Sequence, residues 1–74
     1  MATANPLHLT IELEREDDGR WIAEVSDLPG VLAYGQSRDE ALARAEALAL
    51  RYLADRLDHG ESGPDLVSVT FRAA

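Results

Sequence analysis

The side chains that could carry chemistry are few and widely spaced. His8 and His59 are the only histidines and there is no cysteine. A metal site needs imidazoles and carboxylates that converge, and no His-x-x-x-His or comparable spacing is present. His59 falls at the end of a helical stretch, where a helix dipole favours it, and His8 reads as a solvated strand residue. Asp17 and Asp18 stand beside Glu14 and Glu16, but without the spaced ligands that wrap calcium, so they read as a solvated acidic turn. Ser26, Ser37, Ser62 and Ser68 lack a nucleophile-elbow context and an activating histidine. The glycines never fall into a phosphate-cradling pattern. No catalytic residue, metal or cofactor is expected, and the chain reads as a non-enzyme.

The elements that hold these residues form one small domain. A chain of 74 residues buries only about three fifths of the surface it exposes when unfolded. Its composition, 46% hydrophobic and 28% charged, is that of a globular protein. Fourteen acidic residues face seven arginines and no lysine, for a net charge of −7. A phosphate backbone repels such a surface, so direct nucleic-acid binding is not expected, whereas a basic protein partner is electrostatically natural. The chain shows neither a signal-type start nor about 20 consecutive apolar residues, so no membrane span and a cytoplasmic location are expected. Residues 1–6 read as a flexible lead and 7–72 as the domain.

Along that domain Leu7, Leu9, Ile11 and Leu13 alternate with His8, Thr10, Glu12 and Glu14, the pattern of a strand with one wet face. The Asp18-Gly19 pair is expected to supply positive backbone dihedrals for a hairpin. A second strand from Arg20 puts Trp21, Ala23 and Val25 on one side. Arg20, Glu24 and Ser26 lie on the other, where Ile22 is the one large apolar residue. Trp21 is expected in the core. Tyr34 is more open, since its hydroxyl needs water or a partner. Asp27-Leu28-Pro29-Gly30 reads as a type II turn, Val31 to Tyr34 as a third strand ending at Gly35, and Ser37-Arg38-Asp39-Glu40 as a capping box. The helix runs to about His59, with Gly60 as its stop. Glu61 to Asp65 reads as a loop and Leu66 to Arg72 as a fourth strand.

The expected fold is α+β, β-β-β-α-β, a mixed four-stranded sheet of order 3-2-1-4 with one long helix on one face. The right-handed crossover through the helix returns strand four parallel to strand one. About 22 helical residues span about 33 Å, against about 23 Å for seven strand residues. The apolar arc of the helix, Ala41, Leu42, Ala45, Leu48, Ala49, Tyr52, Leu53 and Leu57, is also wider than one sheet face requires. Leu48, Leu53 and Leu57 are therefore expected to be partly uncovered in a monomer and to form a homo-oligomer interface.

Gly19-Arg20-Trp21-Ile22-Ala23-Glu24-Val25, then Asp27-Leu28-Pro29-Gly30, Tyr34-Gly35-Gln36-Ser37 and Glu40-Ala41, form an ordered series. In that series the chain resembles the HicB-type antitoxin family, from strand one to the end of the helix. The resemblance implies a HicB-like, partial RNase H-like fold. It also implies a role in a type II toxin–antitoxin system, occluding a small basic HicA-like ribonuclease toxin, an mRNA endonuclease. Full-length members commonly carry a C-terminal DNA-binding segment. Only Ala73 and Ala74 follow the fourth strand here, so operator binding is not expected of this chain. Nuclease chemistry of the RNase H kind needs several carboxylates converging on two metal ions, and alternation alone accounts for Glu12 and Glu24.

The candidate toxin-binding residues are the exposed acids Glu12, Glu14, Glu16, Asp17, Asp18 and Glu24, with Tyr34 as an aromatic anchor. The alternative is a stand-alone oligomeric accessory or small-molecule-binding domain with no toxin partner, using the open sheet face or a subunit boundary as its pocket.

Overall fold

The computed structural model describes residues 6–60 and 68–74. Five elements follow in order: β1 (Pro6–Arg15), β2 (Trp21–Val25), β3 (Leu32–Gly35), α1 (Arg38–Asp58) and β4 (Ser68–Ala73). The sheet order is β3-β2-β1-β4, with β4 parallel to β1 and the other pairs antiparallel. This is the α+β, 3-2-1-4 arrangement expected from the alternation and the crossover rule. The expected N-terminal lead up to residue 5, the loop Glu61 to Asp65, and the first two residues of the expected fourth strand, Leu66 and Val67, lie outside the described residues. No helix among the described residues is long and apolar enough to cross a membrane.

Period-two alternation assigns the faces. Leu9 and Ile11 of β1 and Ala23 and Val25 of β2 point to the helix side and are buried. Each fully buried large side chain there contributes about 1.5–3 kcal/mol of transfer free energy. Ala41, Ala45, Ala49 and Leu53 close the core from the helix. Trp21 is half-buried and packs on this cluster, with its indole in the layer expected for it.

The helix lies over β3 and β2, meets β1 along a margin, and makes no substantial contact with β4. Small residues bring it this close. A Cβ on Gly35 would sit 2.4 Å from the backbone nitrogen of Ala41, so β3 and the first helical turn touch through bare backbone. Ser37 caps the helix, its Oγ accepting from the Glu40 N–H at 3.1 Å. The Glu40 carboxylate reaches back one residue further than a standard capping box, to the N–H of Gln36 at 2.7 Å. Both bonds lock β3 to the helix start.

Two turns differ in their detail. Among the described residues only glycines adopt positive φ, so Asp18 does not share the left-handed conformation expected of the Asp18-Gly19 pair. The Gly19 N–H donates to the Glu16 carbonyl and the Glu16 N–H to the Arg20 carbonyl. This is a three-residue loop that ends in a glycine bulge. Between β2 and β3, the Val31 N–H donates to the Leu28 carbonyl across Pro29 and Gly30 at 3.1 Å, as the type II turn requires. That bond takes Val31 out of β3, which starts at Leu32.

Leu53 is corrected: it is 6% exposed, seated in the core and not available as an oligomer contact. On the wheel it lies inside the apolar arc, between Leu42 and Leu57, and the line Ala41, Ala45, Ala49 and Leu53 through the middle of that arc is the one that meets the sheet. Leu48 is half-buried against the core, and Leu57, near the helix end, is 42% exposed.

Replacing Gly35 with alanine is expected to destabilise the fold by about 1–3 kcal/mol, the usual cost of forced overpacking. Urea unfolding followed by circular dichroism checks this, and an unchanged midpoint would show that the helix does not depend on this approach.

Candidate acidic sheet face

The face of the sheet away from the helix has no layer over it among the described residues. Even-numbered residues of β1, β2 and β3 project from it. The Ser26 N–H donates to the Thr10 carbonyl and the Glu16 N–H to the Arg20 carbonyl. These bonds fix the phase of the β1–β2 ladder, so Glu12 and Glu24, paired directly in register, form a hydrogen-bonded pair with side chains on the same face. Such partners have Cα atoms about 5.5 Å apart, and like charges placed directly opposite destabilise a sheet.

Neighbouring side chains do not relieve this opposition. Glu14 pairs with Ile22, which pairs with Tyr34, and Glu24 pairs with Leu32. Two rows therefore cross the sheet, Tyr34-Ile22-Glu14 and Leu32-Glu24-Glu12. A shallow depression of about 300 Å³ lies between them, lined by Glu12, Leu13, Glu14, Ile22 and Glu24. None of its three glutamates has an ion-pair partner among the described residues. The nearest arginine in the hairpin, Arg20, is already engaged: its Nε donates to Asp18 Oδ2 at 2.8 Å, and its guanidinium sits 4.7 Å from the Tyr34 ring centroid.

The acids named from the sequence thus divide into two groups. Glu12, Glu14 and Glu24 come together on the open face, with Tyr34 at its β3 margin, 39% exposed. Glu16, Asp17 and Asp18 belong to the β1–β2 turn. Asp18 is a turn-fixing residue, accepting the Arg20 backbone N–H at 3.0 Å as well as the guanidinium. The Arg20 N–H bond, followed by its guanidinium, holds the Asp18 carboxyl below its ordinary value of 3.8.

Two contributors escaped the sequence reading. Leu32, 38% exposed, extends the apolar margin beside Tyr34; its pairing with Glu24, like that of Tyr34 with Ile22, puts it on the open face. Asp27 accepts the Thr10 N–H at 3.0 Å and closes the end of the β1–β2 ladder from 17 residues away. His8 is exposed, and His59 caps the helix with Nδ1 2.8 Å from the Asp55 carbonyl oxygen. Among the described residues, no three His, Asp or Glu side chains are grouped to hold a metal ion.

Comparison with protein-family models, with curated proteins and with solved structures gives no match.

The folded-state carboxyl of Asp18 titrates below its unfolded-state value, so the unfolded chain binds more protons in the window between the two. The contribution of Asp18 is then complete above about pH 4 and is lost as pH falls through the lowered folded value. Carboxyl NMR titration is expected to show Asp18 as a low-titrating aspartate in wild type. Acid unfolding of Asp18→Asn is expected to lack that part of the pH dependence, and an ordinary Asp18 titration would contradict it.

Proposed function

We propose that this chain is a non-enzymatic binding module that covers a basic protein with the outer face of its sheet. The observation that carries the proposal is the direct opposition of Glu12 and Glu24, with Glu14 beside them and no ion pair to any of the three among the described residues, Arg72 of β4 standing beside Thr10 on the same face. In the free chain this arrangement costs stability. An arginine or lysine from a partner, placed between the two carboxylates, turns the repulsion into two charge-assisted hydrogen bonds. Tyr34 and Leu32 supply an apolar margin on which the rest of the partner can seat. The acidic balance of the whole chain, −7, steers a basic partner toward it.

The resemblance to HicB-type antitoxins gives this partner a chemical class, a small basic HicA-like ribonuclease. Covering its cationic RNA-binding cleft requires what this face offers: carboxylates in a line, an aromatic at the margin, and no reactive group. In that reading the chain is the antitoxin of a type II toxin–antitoxin pair.

A second reading uses the same depression. A stand-alone accessory domain would seat a small cationic molecule among Glu12, Glu14 and Glu24. Native mass spectrometry of the purified chain separates the two, since only the second reading expects a retained small molecule.

The test is a pair of measurements on the variant Glu12→Gln/Glu24→Gln. Free of its partner, the variant is expected to be more stable than wild type by about 0.2–1 kcal/mol, because a repulsive cross-strand pair is gone. Its affinity for a HicA-like ribonuclease encoded beside it is expected to fall by about tenfold or more, which is about 1.4 kcal/mol. Undiminished binding and ribonuclease inhibition by this variant would remove the face from the proposal.

A further inference from the structure

The two edges of the sheet are not equivalent. In the β2–β3 ladder the Val25 N–H donates to the Val31 carbonyl, which sets the phase so that Leu32 and Tyr34 turn their backbone groups outward. That edge is only four residues long, and the Arg44 guanidinium, brought by the helix, donates to the Tyr34 carbonyl oxygen at 3.2 Å. The β3 edge is therefore blocked.

Among the described residues the β4 edge has no such cover. The Ala74 N–H donates to the Ile11 carbonyl at 2.9 Å. In a parallel ladder this turns the backbone groups of even residues toward β1 and those of Val69, Phe71 and Ala73 outward. Those outward groups have no partner among the described residues. β4 carries neither proline nor acid, and apart from the partly buried Phe71 its residues are exposed, Val69 at 36%. Natural sheets protect such edges with charge, proline or a covering element; apart from Arg72, β4 has none of these.

On the inner side beside it, Leu7 and Phe71 are only partly buried at the margin of the core, and Val69 is exposed. Val69 and Phe71 stand next to Leu7 and Leu9 on the helix side of the sheet, yet the helix lies over β3 and β2. Arg44 faces β3. Leu50 and Leu57, 50% and 42% exposed, lie about 120–140° round the helix from it, on the flank that overlooks β1 and β4.

We infer that β4 pairs antiparallel with β4 of a second copy about a two-fold axis, giving a continuous eight-stranded sheet from two four-stranded ones. The occupant follows from the strand itself. Because only odd residues offer outward backbone groups, odd residues must face odd residues, and all of them carry their side chains on the helix side. The register centred on Thr70 sets Val69 against Phe71 of the second copy twice, Thr70 against Thr70, and Ser68 against Arg72. The apolar pairs are of the kind that stabilise sheets, and no like charges meet. A basic partner finds no carboxylate on this strand, whereas a second β4 finds a match at every position. Both helices then lie on one side, flanking a trough of Leu7, Val69 and Phe71 from each copy, and both acidic faces stay open on the other.

This dimer does not depend on the partner-binding proposal, and salt separates them. Two chains of charge −7 repel, so added salt strengthens the dimer, while it weakens the grip of an acidic face on a basic protein. Sedimentation equilibrium at about 100 µM is expected to give about twice the 8.1 kDa chain mass. Val69→Glu, at a site exposed in the single chain, is expected to weaken the dimer at least about tenfold while the helical circular dichroism is retained. If that variant loses its fold, single-cysteine variants of this cysteine-free chain give the answer. Thr70→Cys is expected to form an intermolecular disulfide readily, because non-hydrogen-bonded antiparallel partners have Cα atoms about 4.5 Å apart. Ser68→Cys is expected not to, with its twin about 13 Å away. A wild-type monomer at every concentration, a dimer indifferent to Val69→Glu, or equal crosslinking of the two cysteine variants would overturn the inference.

Discussion

Backbone contact between the helix and one half of the sheet governs the rest of this molecule. Gly35 leaves no room for a side chain against Ala41, and the helix continues its descent on Ala45 and Ala49 over β2 and β3. Close approach through alanine and glycine gives tight packing where it occurs, but small side chains reach only a short distance sideways. A single helix seated this way packs on β3, β2 and the margin of β1 but makes no substantial contact with β4. The core therefore concentrates on Leu9, Ile11, Val25 and the alanine line, while β4 and the margin of β1 are served less well. An off-centre helix is thus the common origin of the packed core and of the bare edge.

The opposite face obeys electrostatics and not packing. Alternation brings Glu12, Glu14 and Glu24 to one area, and among the described residues no arginine forms an ion pair with them. Arg20 is engaged by Asp18 and Tyr34, and Arg44 by Glu40 and Tyr34. The proposed binding of an external cation rests on these opposed like charges, which have no ion-pair partner among the described residues. Its rigidity helps: residues on central strands keep their geometry better than loop residues, so a partner finds the carboxylates already in place. Because the proposed two-fold pairing uses the other side and the far edge, two such surfaces can be presented on one plane.

Much of this was legible in the sequence because strands of period two announce their faces. Glu12, Glu14 and Glu24 fall on the polar sides of their strands by counting alone, and the turn at Pro29-Gly30 has a residue order that permits little else. Other features depended on contacts that periodicity does not encode. A helical wheel gives an apolar arc but not how much of it the sheet covers, so Leu53, expected to be partly uncovered, is buried, while Leu50 outside the arc is 50% exposed. Asp18-Gly19 is compatible with two hairpin geometries, and only the bonds of Glu16 choose between them. The tie from Asp27 to Thr10 joins residues that no local pattern relates.

The central claim is that the outer sheet face does the binding, and backbone amide NMR of the labelled chain titrated with a HicA-like ribonuclease tests it most directly. The account predicts shifts at Glu12, Glu14, Ile22, Glu24 and Tyr34, with Ala45, Ala49 and Leu53 unmoved. Shifts confined to the helix or to β4, with the glutamates of β1 and β2 undisturbed, would contradict it.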